Sequence, residues 1–119
     1  VFEVTLKKLV VETDGADGAI FLDGEGEAVQ WFARTDANLL RLRAAYLAVA
    51  LQSCRVSVSR LGLGRISHLV LEYQGAWYVI QELTRDYFLV LQMDTTANLA
   101  QALDRIEPIV ADLRREIAA

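Results

Sequence analysis

The chain has 119 residues, a hydrophobic fraction of 54%, one proline and a formal net charge of −4 at pH 7. That length suits a single domain with one hydrophobic core, and that apolar content excludes an intrinsically disordered chain. The acidic balance argues against general nucleic-acid binding, and no apolar run approaches the roughly 20 residues that cross a bilayer, so neither nucleic acid nor membrane insertion is expected.

Residues 2–13, FEVTLKKLVVET, place Phe2, Leu6, Leu9 and Thr13 on one face of a helix. DGADG breaks the pattern. GAIFLD (18–23) is a continuous apolar run, as expected of a central strand covered on both faces, and AVQWFA (28–33) follows the glycine-rich DGEGE turn as its partner. Asp36 is the expected cap of a long helix through residues 39–60, LLRLRAAYLAVALQSCRVSVSR. Its Leu40, Ala44, Leu47, Leu51, Cys54 and Val58 alternate in spacings of four and three, and Leu42, Ala45, Val49 and Val56 form an adjacent stripe. CRVSVSR alternates like a strand, but the stripe continues through Val58 to Leu61 and predicts helix up to GLG at 62–64. One stripe packs on the chain's own sheet. The other needs a second surface, which a second copy of the chain would supply.

RISHLVLEY (65–73), AWYVIQEL (76–83) and YFLVLQM (87–93) predict three more strands, joined by a Gln74-Gly75 hairpin and by Thr84 to Asp86. In the first, Leu69, Leu71 and Tyr73 share one face while Ile66, His68, Val70 and Glu72 share the other, a mixture that suits a sheet margin. A last helix from Thr95 or Thr96 aligns Leu99, Leu103, Ile106, Val110, Leu113 and Ile117, with Pro108 expected to kink it or restart it near Glu107. The order helix-strand-strand-helix-strand-strand-strand-helix predicts an α+β sandwich: one five-stranded antiparallel sheet with helices on its faces.

Constellations that carry chemistry are missing from the pattern. His68 is the only histidine and has no ligand or catalytic partner near it in sequence, so an interface or surface role is expected. Cys54, the only cysteine, lies in the most apolar stripe, where burial opposes thiolate formation; it cannot pair internally, which agrees with a cytoplasmic protein, as does the lack of a basic-then-apolar leader. GLGRIS sits between helix and strand, the reverse of a phosphate loop, and the turn acids Asp14, Asp17, Asp23, Glu25 and Glu27 lack calcium-loop spacing. Trp31, Trp77 and Tyr78 read as packing residues. No catalytic residue, metal ligand or cofactor site is therefore expected. The charge pattern is more informative. From Ala37 to Leu71 there is no Asp or Glu, yet Arg41, Arg43, Arg55, Arg60 and Arg65 all fall there. Such an asymmetry marks an interaction surface or a solvated helix flank.

The element order, with GADGAIFLDGEGEAV, LGLGRISHLVLEYQGAWYVIQEL and YFLVLQMDTTANLAQAL, resembles the roadblock/dynein light chain family, and within it the MglB-like bacterial members. The matching positions are Gly18 to Gly26, Leu61 to Gly64 and Asn98-Leu99; Ala100 stands where the family often has glycine. The resemblance implies a profilin-like roadblock architecture and a homodimer whose long helices pack side by side while margin strands pair across both copies. Leu42, Ala45, Val49 and Val56 of the helix, with His68 and Val70 of the margin strand, are then the expected dimer interface. The resemblance further implies a non-enzymatic regulator or scaffold that binds a Ras-like small GTPase and biases its nucleotide cycle, with Arg41, Arg55, Arg60 and Arg65 as expected partner contacts. Two alternatives stay open: a ligand-sensing domain of the profilin or PAS type, with a pocket between sheet and helix, and a structural adaptor with no GTPase partner.

Overall fold

The computed structural model describes residues 2–119. The elements run α1 (Phe2–Glu12), β1 (Ala16–Asp23), β2 (Ala28–Ala33), α2 (Ala37–Arg60), β3 (His68–Tyr73), β4 (Ala76–Thr84), β5 (Tyr87–Met93) and α3 (Leu99–Ala118). The strands form one antiparallel sheet in the order β2-β1-β5-β4-β3, which makes β2 and β3 its two edges. The expected α+β architecture and the marginal position of β3 are both observed.

That strand order explains the length of α2. The chain leaves β2 at one edge and must re-enter at β3 on the other, four strand spacings or roughly 19 Å away. A helix of 24 residues, about 36 Å long, carries it across. The Asp36 carboxylate starts this helix by accepting from the backbone N–H groups of Asn38 and Leu39. Closure of its first turn on the sheet depends on Gly18, where a Cβ would fall 2.8 Å from Leu40 Cδ2. At the other end Leu61 caps the helix and Gly62 turns the chain with φ +68°.

The two faces of the sheet are covered unequally. Leu6 and Leu9 of α1 and Ile106, Ile109 and Leu113 of α3 pack on one face against Ala19, Phe21, Val79, Leu89 and Leu91. On the other face α2 is alone, with Leu40, Ala44, Ala48 and Leu51 against Ile20, Leu22, Tyr78, Ile80, Phe88 and Val90. One helix about 10 Å wide covers less than half of five strands set roughly 4.8 Å apart. Accordingly Ile66, Leu69 and Leu71, toward the β3 edge of this face, are only partly buried.

Several boundaries differ from the sequence expectation, each for a local reason. β1 begins at Ala16, two residues before the apolar run, because Asp17 O accepts from Arg34 N at 2.7 Å and extends the ladder. β3 begins at His68 rather than residue 65; the alternation therefore does not reach Ile66, which packs with Leu69 and Leu71 toward α2 instead of sharing the His68 and Val70 face. α3 begins at Leu99, capped by Asn98, because Thr96 is held in the preceding turn by its bonds to the Asp94 carboxylate. α3 runs through Pro108 without restarting near Glu107, and Pro108 lies on the exposed side of the helix. The core stripe of α2 ends at Leu51. Ala48 is buried in it while Leu47, Cys54 and Val58 are half-buried, and Leu61 is exposed.

Beneath α2 the core holds one polar chain. Tyr78 is fully buried; its hydroxyl donates to Gln92 Oε1 at 2.6 Å and accepts from Arg43 Nη1 at 3.3 Å. Burial, helped by the neighbouring Tyr73 hydroxyl and opposed by Arg43, pushes the Tyr78 phenol up from 10.0 to about 12. A raised acid keeps its full stabilising contribution below the unfolded-state value. Tyr78 should therefore contribute a loss of stability as pH rises from 10.0 toward about 12, where the unfolded chain gives up its proton first. In urea denaturation, Tyr78→Phe should flatten that alkaline slope. It should also cost about 1–2 kcal/mol at neutral pH, because Gln92 loses its buried donor.

Candidate interaction surface of the long helix

With Leu40, Ala44, Ala48 and Leu51 turned to the sheet, helical geometry sends Leu42, Tyr46, Val49, Ser53, Val56 and Arg60 outward along one line. Leu42 is 57% exposed, Tyr46 71%, Val49 63% and Val56 52%, so each keeps more than half of its surface in solvent. Ala45, beside them, is half-buried. The alternating four-and-three spacing is that of a helix–helix seam. Tyr46 was not anticipated, although its place between Leu42 and Val49 in that spacing was the signal.

The margin strand contributes differently from expectation. Val70 packs with the cluster under α1 and α3, and exposed His68 alternates onto that same face. These two side chains therefore point away from the α2 strip. What β3 presents on the α2 side is Leu69 and Leu71, together with an edge that pairs only with β4.

The arginines separate into two groups. Arg41 stacks over the Trp31 ring at 4.4 Å near the start of α2, and the 14 residues from it to Arg55 put it about 21 Å from the others along the axis. Arg55, Arg60, Arg65 and Arg85 line, with Glu82 of β4, one groove of about 720 Å³ between the end of α2 and the sheet. Arg55 lies four residues beyond Leu51 and so faces inward. It rests over the Phe88 ring at 4.7 Å, donates to Glu82 Oε2 at 2.5 Å, and donates to the Arg85 carbonyl at 3.3 Å. Arg65 donates to Glu82 Oε1. From the opposite face, Arg114 of α3 donates to the carbonyls of Leu83 at 2.6 Å and Glu82 at 3.3 Å.

Each oxygen of the Glu82 carboxylate thus has a guanidinium partner, which is what a carboxylate that is only 10% exposed requires. Arg55 is 21% exposed and is largely committed to this clasp, whereas Arg65 is 77% exposed and Arg60 is open to solvent. Glu82 was not anticipated: a Glu in AWYVIQEL reads as a solvent-facing strand position, and nothing local announces partners 17 and 27 residues earlier. Among the described residues no three His, Cys, Asp or Glu side chains gather as a metal site, and no helix is long and apolar enough to cross a membrane.

No family model and no curated protein matches this sequence. Solved structures do. The roadblock/LC7 domain from Streptomyces avermitilis matches with a TM-score of 0.90 over 98% of each chain at 16% identity. Myxococcus xanthus MglB gives 0.89 over 98% of this chain and 94% of its own at 14% identity. The gliding protein MglB from Thermus thermophilus gives 0.86 over 96% and 86% at 21% identity. The chain has the roadblock/MglB-like fold.

The clasp separates the two arginines experimentally. Glu82→Gln leaves Arg55 half-buried without its counter-charge and should lower unfolding stability in urea by about 2–3 kcal/mol. Arg65→Ala should cost less than about 1 kcal/mol, because that side chain is mostly in solvent.

Proposed function

We propose that this roadblock-fold chain is a non-enzymatic, homodimeric regulator or scaffold in the cytoplasm, whose paired α2 helices form a platform for a Ras-like small GTPase. The observation that carries the reading is the apolar strip of Leu42, Tyr46, Val49 and Val56, more than half exposed on the only helix of an under-covered sheet face. A twin α2 laid beside it would bury the strip and shelter Leu69 and Leu71, and pairing of two β3 edges would continue the sheet across both copies. The structural similarity to MglB, a gliding protein, supports the same direction. The space that a ligand-sensing domain would need between α2 and the sheet centre is occupied by Tyr78, Phe88 and Leu51, all fully buried. Arg41, Arg60 and Arg65 lie open along the platform, while Arg55 supports it from beneath. Regulation would be by population shift: contacts that favour one switch conformation of the GTPase bias its nucleotide cycle.

Dimerisation comes first in the test. Light scattering after gel filtration should give a dimer at micromolar concentration, and Val49→Arg should give a monomer by placing a charge in the seam. A monomeric wild type would overturn the dimer.

For the partner, a Ras-like GTPase from the same organism is loaded with GDP or a GTP analogue and titrated against the protein. Affinity should differ between the two states, and Arg41→Glu with Arg60→Glu should weaken it about tenfold at low salt, less as salt rises. Equal affinity for both states would leave a scaffold without regulatory effect, and absence of binding would leave a structural adaptor.

A further inference from the structure

We propose that the groove at the C-terminal end of α2 binds a small, multiply charged oxyanion of the oligophosphate class. Its lining includes Arg55, Arg60, Arg65 and Arg85 with Glu82 as the acidic lining residue, in a chain whose net charge is −4. Arg55 and Arg85 also border an adjoining groove that holds Asp23, Glu25 and Asp86. Glu82 already has a guanidinium on each oxygen. Arg60 and Arg85 have no carboxylate within ion-pair distance among the described residues, and both are exposed at the groove.

Arg55 and Arg65 already satisfy the Glu82 carboxylate, so Arg60 and Arg85 are two exposed arginines beyond what it needs. These two are the ones free to meet a polyanion at the groove. The planar forked donors of arginine match phosphate oxygens two at a time, and Gln52 and Ser59 add neutral donors at the wall. A volume of about 720 Å³ lies within the range of small-molecule sites. The apolar wall is Val56 and Ile66, aliphatic and without an aromatic platform for a base, so the recognised feature is the phosphate chain itself. All of the lining residues belong to one chain, although Val56 is shared with the strip assigned to the twin helix.

The test uses the wild-type protein at low salt, titrated calorimetrically with inorganic tripolyphosphate, pyrophosphate, orthophosphate and citrate. Saturable binding of one tripolyphosphate per chain is expected, weakening stepwise to pyrophosphate and orthophosphate. Arg60→Gln with Arg85→Gln should weaken it about tenfold or more, since two charge-assisted contacts are lost. Neither side chain bonds to another in the fold, and a thermal melt of the double variant checks that it stays intact. Lys7→Gln with Lys8→Gln removes the same charge from exposed positions of α1 on the opposite face and should change affinity less than about twofold. Failure to saturate at millimolar tripolyphosphate would overturn the site. So would equal losses in the two double variants, which would reduce the effect to net charge, or citrate binding as tightly as tripolyphosphate, which would remove the phosphate preference. None of these readouts involves the GTPase, so the outcome is independent of the platform reading.

Discussion

One helix lying where two are needed is the constraint on which the rest of this structure depends. A sheet buries both faces, and five strands present more apolar surface than a single helix can cover. α1 and α3 together close one face, while α2, committed to crossing from the β2 edge to the β3 edge, closes only part of the other. The same crossing forces α2 to be long, and a long helix over a half-covered face has an outward side with nothing to rest on. Apolar residues on that side, and half-buried leucines on β3, follow from one topological fact.

The interior of α2 shows a second consequence. Along its first half small residues, Ala44 and Ala48, let the helix approach the sheet, and Gly18 removes the last obstacle at Leu40. Farther along, the sheet side of the helix turns from apolar to charged at Arg55, and the contact changes from packing to an ion pair stacked on an aromatic ring.

Much of this was legible in the sequence because period and punctuation carry it. The continuous run at Ile20 to Leu22 announced a central strand, Asp36 announced a helix start, and the second stripe of α2 announced the apolar strip that lies exposed. The helical reading of CRVSVSR, against its local alternation, was also observed. What failed to show were features that depend on distant partners. β3 starts only at His68, and Ile66, which lies ahead of the strand, packs toward α2. His68 and Val70 seemed interface side chains because they alternate on a margin, but only topology says which face the long helix occupies. Arg55 read as surface charge because of its residue type, although its place four residues beyond Leu51 put it in phase with the buried stripe. The partner that holds it there, Glu82, is distant in sequence. Glu82 carries no local mark at all; its role exists only once α2 is laid across β4 and β5.

The end of β4 has one further property. Arg55 reaches it from α2 on one side of the sheet, and Arg114 reaches it from α3 on the other, one holding the Glu82 carboxylate and the other the Glu82 and Leu83 carbonyls. Glu82 is thereby gripped from both outer layers at once, its carboxylate by the long helix and its carbonyl by the last one, so the middle of the sandwich is stitched to each cover at a single residue.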